Sequence, residues 1–324
     1  MTGCAGFIGS HLTETLLDRG QSVVGIDCFN DNYGRAQKLA NLREVRDWDA
    51  FEFVPIDMAR GDLQEVAEGC DVVYHLAAEP GVRSGWGPRY EQFVRNNVIA
   101  TQHLLEALKD RPGVPFVHTS SSSVYGDSGT RPTPEDAPTV PMSPYGQTKL
   151  SGEQLCAVYA GAHGLDWRCL RYFTVYGPRQ RPDMALHSFL RAALEGTAIT
   201  VFGDGLQTRD FTYVADVVGA TLAAADAPEW AAPGPVNVGG GSPVSVREAL
   251  DLVGDLTGRP LEIHNLPAQP GDVTDTEADA SLARELLGWE PSMTLREGLV
   301  RELEWLSGEL AGSGGFGGAP GRGG

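Results

Sequence analysis

The first half of the chain alternates short apolar segments with longer segments of helical periodicity. The apolar segments are rich in β-branched residues, which predicts strands at residues 22–27, 51–56, 71–77, 114–120 and 167–174. Between them, apolar residues spaced three and four apart predict helices, the clearest at residues 11–19, 90–109 and 145–162. Strands and helices in alternation build a parallel sheet covered by helices on both faces. We therefore predict an α/β fold with a doubly wound parallel sheet.

The rhythm loosens after about residue 190. A Gly-Asp-Gly turn lies at residues 202–206, short apolar segments predict strands at 211–214 and 236–238, and helical periodicity returns at 246–256, 282–287 and 295–310. This predicts a smaller, mixed α/β lobe. We place the first domain at residues 1–175 and the second mainly at 176–311, interleaved with the first. The Gly-rich residues 312–324 have little to bury and are predicted to be a disordered tail.

The start of the chain departs from this pattern. A glycine-rich turn normally follows a buried strand, yet here it begins at Thr2, so the first strand of the predicted sheet is missing from the sequence as given. Because that strand belongs at the centre of such a sheet, we expect the natural protein to begin several residues upstream.

Composition narrows the classes of function. The 324 residues include 43 acidic and 25 basic ones, for a formal net charge of −18, and no cluster of Lys and Arg offers a surface for a nucleic-acid backbone. No apolar run approaches the roughly 20 residues that cross a bilayer, and the N-terminus has no signal-peptide pattern. The sequence therefore predicts a soluble, cytoplasmic protein with neither nucleic acid nor a membrane as a partner. The five cysteines are scattered without CxxC spacing, so neither disulfides nor a metal site is expected.

The segment TGCAGFIGSHL places Gly3, Gly6 and Gly9 in a GxxGxxG spacing. The first glycine permits a tight turn, the second lets the backbone approach a pyrophosphate, and the third allows the following helix to pack closely on the sheet. Asp27 stands at the end of the next predicted strand, where a carboxylate accepts hydrogen bonds from ribose hydroxyls. A carboxylate there repels a 2′-phosphate, so these residues predict NAD rather than NADP. An ordinary turn residue at a strand end is the alternative for Asp27.

The segment YGQTK sets Tyr145 and Lys149 four residues apart on a predicted helix, so both side chains point from the same face. A lysine beside a phenol favours the phenolate, and we expect Lys149 to lower the pKa of Tyr145 toward the working pH. Upstream, a run of serines at residues 120–123 ends a predicted strand, and a hydroxyl there can hydrogen-bond a substrate hydroxyl that is being deprotonated. A solvated polar loop is the alternative for these serines.

Together GCAGFIG, Asp27, HLAA at residues 75–78, SSSSVYG and YGQTK resemble the extended short-chain dehydrogenase/reductase superfamily, specifically its nucleotide-sugar epimerases and dehydratases. The resemblance runs from Thr2 to about residue 306. It implies a Rossmann domain that binds NAD and a smaller lobe that binds a nucleoside-diphosphate sugar. It further implies a catalytic set of Ser121, Tyr145 and Lys149, and cofactor contacts from Gly3, Gly6, Phe7, Ile8, Gly9, Asp27, Asn30, Asp57, Met58, Leu76, Ala77, Ala78, Asn97, Tyr145, Lys149 and Tyr172.

Two segments narrow the branch within this superfamily. Dehydratases carry an Asp-Glu pair after the catalytic hydroxyl residue, whereas this chain has Ser122 and Ser123, which argues against a 4,6-dehydratase. LRYFTVYGPRQRPDMAL resembles the uronate-specific epimerases, and by that match Thr174 and Arg181 surround the sugar carboxylate together with both serines. Arg suits this role because its planar fork binds both carboxylate oxygens. The implied substrate contacts are Arg83, Ser121, Ser122, Ser123, Tyr145, Thr174, Arg181, Phe202, Arg209 and Asp272.

The resemblance thus implies an isomerase that converts UDP-glucuronate to UDP-galacturonate by transient oxidation at sugar carbon 4, with NAD retained throughout. Epimerisation of UDP-glucose and decarboxylation of UDP-glucuronate on the same scaffold are the nearest alternatives. A non-catalytic NAD-sensing protein is the alternative from another class, and the complete Ser/Tyr/Lys set argues against it. Relatives are commonly dimers through the helices that here begin near Tyr90 and Tyr145, so a homodimer is expected.

Overall fold

The computed structural model describes residues 1–30, 34–228, 230, 232 and 234–313. In these ranges the strands are β1 (Val23–Ile26), β2 (Phe51–Val54), β3 (Val73–His75), β4 (Pro115–Ser121), β5 (Asp166–Tyr172), β6 (Thr174–Tyr176), β7 (Ile199–Phe202), β8 (Thr208–Tyr213), β9 (Val236–Val238), β10 (Pro243–Ser245) and β11 (Ile263–Leu266). The α-helices are α1 (Phe7–Asp18), α2 (Arg35–Asn41), α3 (Gln64–Ala67), α4 (Tyr90–Val94), α5 (Ala100–Leu108), α6 (Pro144–His163), α7 (Ala185–Glu195), α8 (Val214–Asp226), α9 (Val246–Thr257), α10 (Ser281–Leu287) and α11 (Leu295–Ser313). Within the same ranges, no helix combines the length and hydropathy that a bilayer span requires.

A layer of parallel strands forms the centre of the molecule. β1 pairs with β2, while β3, β4, β5 and β9 pair in that order. Thr2 lies between the two groups, since it bridges Ile26 of β1 and His75 of β3 in parallel, and its N–H donates to Tyr74 O at 2.9 Å. Separate buried apolar clusters involve α1 and α8 on the one hand and α5 and α6 on the other. The predicted doubly wound α/β fold is confirmed.

The smaller lobe holds two short sheets. One has the order β10-β8-β6, in which β8 runs parallel to β6 and antiparallel to β10, and the other is the parallel pair of β7 and β11. β9 follows several of these strands in the chain but pairs with β5 of the central sheet. The chain therefore returns to the central sheet after these strands.

The predicted strand at residues 167–174 is two strands in the structure. β5 ends at Tyr172, which pairs with Ser121 and Val238 in the central sheet, and β6 begins at Thr174, which pairs with a strand of the smaller lobe. Between them, the Phe173 N–H donates to Val238 O at 3.0 Å, and the Phe173 ring is buried. The chain thus changes sheets within a single residue. Apolar periodicity does not reveal this change, because both strands are largely buried.

Two further predicted segments differ from the structure. The helix predicted at residues 90–109 is interrupted by a π-helical turn, Arg95–Ile99, between α4 and α5. Such turns are rare and lie frequently at functional sites. α11 continues to Ser313, two residues into the segment 312–324 that was predicted to be a tail, and residues 314–324 lie outside the described residues.

Candidate active site

A cavity of about 970 Å³ lies at the carboxyl ends of the central strands and is also lined by residues of the smaller lobe. Ligands of doubly wound folds bind in this position, because the loops after the parallel strands diverge there. The lining includes every predicted site residue except Asn97. A single cavity therefore brings the predicted cofactor and substrate residues together.

The glycine turn forms one part of the cavity lining. Gly3 has a positive φ of 72°, and a Cβ added to it would lie 2.9 Å from Ala77 N. A Cβ added to Gly9 would lie 2.0 Å from Gly3 O, so only glycine lets α1 approach the turn this closely. The N-terminus of α1, with Phe7 and Ile8 in its first turn, directs the positive end of the helix dipole toward the cavity. These features together suit an anionic pyrophosphate.

Asp27 follows β1, lines the cavity and is 7% exposed. Its Oδ1 accepts from Phe29 N at 2.8 Å and from Lys38 Nζ at 3.2 Å. Lys38 also donates to Asn30 Oδ1 at 2.7 Å. Lys38 lies on α2 and also lines the cavity, but sequence reasoning missed it. These bonds hold the Asp27 carboxylate in place, in the position expected for a ribose-binding group.

Asn97 is the one predicted cofactor residue that does not reach the cavity. Its side chain is 3% exposed, accepts from Glu79 N at 2.6 Å, and donates to Glu79 O at 3.0 Å and Thr148 Oγ1 at 2.9 Å. These bonds engage both ends of the amide, which ties the loop after β3 to α6. The predicted contact between Asn97 and the cofactor stays a prediction, and the observed role of Asn97 is to join these two segments. Asp57 and Met58, which follow β2, do line the cavity.

The three predicted catalytic side chains share the cavity. Ser121 is the last residue of β4, and Tyr145 and Lys149 lie one turn apart on α6. A Cβ added to Gly146 would lie 2.3 Å from a backbone oxygen of the serine turn, so glycine is required for α6 to pack directly on that turn. The Tyr145 ring also meets Phe93 edge-on, with ring centres 6.5 Å apart. We call Ser121, Tyr145 and Lys149 the tyrosine wall.

The ionisation of the tyrosine wall differs from the sequence-based expectation. Burial raises the pKa of Tyr145, while a hydrogen bond with the Ser121 side chain and the positive charge of Arg181 lower it. Burial lowers the pKa of Lys149 itself to about 8. The Arg181 charge therefore favours the phenolate, but burial has the larger effect and leaves the pKa of Tyr145 above its usual value. The phenol has a hydrogen-bond partner and a nearby positive charge, which are two features of a proton acceptor.

A buried ion pair lies behind the tyrosine wall. Glu153 of α6 is 4% exposed and accepts from Arg171 Nε at 2.9 Å and Nη2 at 2.8 Å. It also accepts from Ser120 Oγ, and Arg171 donates to Tyr125 OH at 2.8 Å. Burial alone would lower the pKa of Arg171, but the hydrogen bonds and charge of Glu153 raise it above its usual value. The pair joins α6 to β4 and β5 and so fixes the geometry of the tyrosine wall.

Another part of the lining carries Arg83, Arg181 and Arg209, which we call the arginine wall. Arg83 donates to the Asp272 carboxylate at 2.8, 3.0 and 3.2 Å, and its guanidinium lies 4.3 Å from the centre of the Phe202 ring. Arg209 donates to backbone carbonyls in β8 and in the segment after β11. Burial lowers the pKa of Arg209, whereas the nearby Asp272 charge raises it. The predicted uridine-diphosphate residues are thus grouped in one part of the cavity.

Arg181 lies between β6 and α7, in the segment of residues 177–184 that we call the 177–184 turn. Its Nε donates to Asp183 Oδ1 at 3.0 Å, and its Nη2 donates to Asp183 Oδ2 at 2.9 Å. The Arg181 side chain is 15% exposed and that of Asp183 is 64% exposed, so the pair extends from the protein interior to solvent. Both residues line the cavity, as does Thr174.

A second buried glutamate supports the 177–184 turn. Glu302 of α11 is fully buried, and its Oε2 accepts from Gly177 N at 3.1 Å. Its Oε1 has no hydrogen-bond partner in the part of the chain that the structure describes. Burial raises the pKa of Glu302 to about 8, against a smaller lowering by the Gly177 N–H. The carboxyl is therefore mostly protonated at neutral pH.

Sequence reasoning missed Lys38, Asp183 and Glu302 in or beside this site. For Asp183 a signal was present, since an acidic residue two positions after Arg181 can fold back onto its fork. For Glu302 the signal was a carboxylate on the apolar face of the last helix, in register with Leu299 and Leu306. Lys38 had no comparable signal, because its partner Asp27 belongs to a different element.

Comparison with known proteins agrees with this site. The sequence model of the NAD dependent epimerase/dehydratase family matches residues 1–239. The chain is 42% identical to a Bacillus subtilis (strain 168) protein named uncharacterized UDP-glucose epimerase YtcB, over 95% of this chain and 97% of that protein. It is 37% identical to the UDP-glucuronate 4-epimerase of Thermodesulfobacterium geofontis (strain OPF15), over 94% of each. It also resembles the crystal structure of a UDP-glucuronic acid 4-epimerase from Bacillus cereus in complex with UDP-glucuronic acid and NAD, with a TM-score of 0.92, 42% identity, and coverage of 95% of this chain and 98% of that one.

Proposed function

The chain belongs to the NAD dependent epimerase/dehydratase family, and we propose that it is an isomerase that converts UDP-glucuronate to UDP-galacturonate by NAD-dependent 4-epimerisation. The observation that carries this proposal is that Ser121, Tyr145 and Lys149 line the same cavity as the glycine turn. Oxidation of a sugar alcohol needs a proton acceptor beside a hydride acceptor, and this cavity brings the Tyr145 phenol together with the residues that would hold NAD. Ser122 and Ser123 stand where a dehydratase needs its acid pair, which favours epimerisation over elimination of water.

NAD fits the cofactor part of the cavity. The glycine turn leaves space along the backbone that a Cβ at Gly3 or Gly9 would fill, and the N-terminus of α1 faces the expected pyrophosphate. Asp27 is assigned to the ribose hydroxyls, with the other predicted cofactor residues of the cavity around it. When bound, NAD takes up a hydride from sugar carbon 4 and returns it, so the cycle has no net redox change.

The residues of the tyrosine wall are assigned to proton transfer. The Tyr145 phenolate takes the proton from the 4-hydroxyl as carbon 4 is oxidised, and gives it back when the 4-keto sugar is reduced on its other face. Ser121 hydrogen-bonds the reacting oxygen and keeps it in line with the phenol. Lys149 is assigned to the cofactor side of the phenol, as the family motif implies. The keto sugar turns within the cavity between the two half-reactions.

The arginine wall recognises the substrate. Arg83, Phe202, Arg209 and Asp272 are assigned to the uridine diphosphate, which matches their grouping around one part of the cavity. Arg181 is assigned to the sugar carboxylate, with hydroxyls from Thr174, Ser122 and Ser123. The 4-keto uronate is a β-keto acid that can lose carbon dioxide, so a firmly held carboxylate also protects this intermediate.

UDP-glucose is the second candidate substrate, and a specific observation favours it. Arg181 is already paired with Asp183, so a neutral hydroxymethyl group would not leave the guanidinium without a counter-charge. The similarity to a protein named as a UDP-glucose epimerase points the same way.

We further propose that the protein is a homodimer in the cytoplasm. Tyr90, Ile99 and Val158 are 39%, 41% and 63% exposed on the helical segments around α4 to α6, which suits a covered helical face. All five cysteines are free, as expected of a reducing compartment. Light scattering on the protein and on a Val158→Glu variant tests the dimer, since a charge in that face should yield a monomer.

The deciding experiment offers UDP-glucuronate and UDP-glucose separately to the purified protein and identifies the products by NMR. We expect UDP-galacturonate from the first substrate at the higher rate, and a transient rise in NADH absorbance after substrate is added. A pentose product with release of carbon dioxide would instead identify a decarboxylase. Binding of NAD without any product or absorbance change would identify a sensor, and either result would overturn the proposal.

A further inference from the structure

In the 177–184 turn, Arg181 already binds the carboxylate of Asp183. Arg181 is also the residue to which we assign the sugar carboxylate. The two bonds from Arg181 to Asp183, at 3.0 and 2.9 Å, form a parallel fork. This is the geometry with which a guanidinium binds both oxygens of any carboxylate, including that of a uronate. Asp183 therefore occupies the fork that a uronate would use.

The two members of this pair differ in their surroundings. Arg181 is 15% exposed, and its charge acts on Tyr145, so it faces the reacting part of the cavity. Asp183 is 64% exposed, so its carboxylate is already largely hydrated, and its separation from Arg181 costs little free energy. The arginine is the fixed member of the pair, and the aspartate is the member that can be exchanged.

The geometry points to Asp183 as a specificity-determining residue that competes with the substrate carboxylate for Arg181. This inference rests on the proposed function and deepens it. A uronate must displace Asp183 or share one guanidinium with it, and two carboxylates at one site repel each other. A neutral hexose leaves the Arg181–Asp183 pair intact. Asp183 thus weakens the binding of uronates and supports the binding of neutral hexoses. It therefore reduces the preference of the protein for uronates over neutral hexoses.

The test uses Asp183→Asn and the charge-conserving Asp183→Glu, both built into a Tyr145→Phe background so that binding is measured without turnover. Calorimetric titration gives the Kd of UDP-glucuronate and of UDP-glucose for each variant. Asp226→Asn is the matched control, because Asp226 is 62% exposed, pairs with Arg19 at 3.2 Å and does not line the cavity. The same substitutions in the active protein give KM and kcat for both substrates.

We expect Asp183→Asn to bind UDP-glucuronate about two- to fivefold more tightly, the range of a partly exposed ion pair, and to bind UDP-glucose more weakly. Asp183→Glu and Asp226→Asn should keep the parent ratio of the two Kd values. Equal changes for both sugars, or no change for either, would overturn the inference. Failure of the unaltered protein to epimerise UDP-glucuronate would refute the proposed function instead, and the ratio of Kd values would still report on Asp183.

Discussion

Two buried glutamates support the cavity, and they are neutralised in different ways. Glu153, behind the tyrosine wall, accepts from Arg171 at 2.9 and 2.8 Å. Glu302, beneath the 177–184 turn, accepts from Gly177 N at 3.1 Å, and its other oxygen has no hydrogen-bond partner in the ranges the structure describes. Both side chains are almost completely buried, so burial alone does not distinguish them.

The difference separates proton transfer from substrate recognition. A buried carboxylate that is paired with an arginine keeps its charge and its position, whereas an unpaired buried carboxyl takes up a proton. The tyrosine wall therefore rests on a buried, doubly hydrogen-bonded ion pair. The 177–184 turn rests on a group whose pKa is raised to about 8, and it presents an arginine whose own partner is exposed to solvent. The residues that transfer the proton are held in a fixed geometry. The 177–184 turn, which recognises the substrate, can change its charge and its ion-pair partners.

The largest effect should come from removing the arginine partner of Glu153, so that its carboxyl, like that of Glu302, is buried without a cation. Arg171→Met leaves the Glu153 carboxylate buried without its cation, and we expect the free energy of unfolding to fall by about 3–5 kcal/mol. Denaturant titration measures this loss. Adding Glu153→Gln to the same variant removes the unpaired charge and should restore part of the stability. A loss below about 1 kcal/mol, the level of an exposed pair, would show that the ion pair does not secure the tyrosine wall.

The next effect tests what the fixed wall does. Tyr145→Phe removes the proton acceptor but keeps the ring that packs against Phe93, so turnover should fall by about 10²-fold or more while binding of the UDP-sugar is retained. Steady-state kinetics and calorimetry measure the two quantities. Tyr159→Phe is the matched control on the same helix, because the Tyr159 hydroxyl donates to Glu106 outside the cavity. Substantial turnover in Tyr145→Phe would assign the base to another group.

A smaller and more selective effect is expected in the arginine wall. Arg181→Ala should raise KM for UDP-glucuronate about 30-fold, the lower end of the loss for a buried charged pair, because hydroxyls of Ser122 and Ser123 compensate in part. UDP-glucose should be affected less, since it has no carboxylate. Arg191→Ala, which removes an exposed arginine of α7 that does not line the cavity, is the control. An equal rise in KM for both substrates would mean that Arg181 supports the lobe or the diphosphate, because the effect of its charge on Tyr145 is read in kcat.

The last effect tests the contrast between the two glutamates through pH. Burial raises the pKa of Glu302 in the folded protein from its usual 4.5 to about 8, so the folded state holds a proton that the unfolded state releases. This stabilisation is fully present below about pH 4.5 and is lost as the pH rises through 8. Glu302→Gln lacks the titration, so its Tm relative to the unaltered protein should rise by about 10 °C between pH 5 and pH 9, since about three pH units of titration are worth about 4 kcal/mol, at about 2–4 °C per kcal/mol. Calorimetric melting curves at several pH values provide the measurement.

The exposed Glu304→Gln on the same helix is the control, and its Tm relative to the unaltered protein should not depend on pH in this way. A constant difference between Glu302→Gln and the unaltered protein across the pH range would mean that Glu302 is ionised in the fold. The contrast with Glu153 would then be lost.

The sequence predicted those parts of the molecule that depend on short-range patterns. Strand and helix order follows from apolar periodicity, and the close approaches at Gly3 and Gly9 follow from their spacing. The bonds of Asn97 to Glu79 and Thr148 were not predicted, because they join segments that no short-range pattern connects. The effect of Arg181 on the pKa of Tyr145 was not predicted, because the two residues are far apart in the sequence and only tertiary packing brings the charge near the phenol.

Phe173 limits how far the cavity can open. Tyr172 is held in the central sheet by Ser121 and Val238, and Thr174 is held in the smaller lobe, so one residue joins the two. Two consecutive Cα steps span at most about 7 Å, which sets an upper bound on the separation of the two sheets at this point. The two sheets are therefore held close together at Phe173, beside the proton acceptor. The two sheets can therefore separate less at Phe173 than the cavity can open at Arg83 and Asp272, which join segments distant in the chain through their side chains.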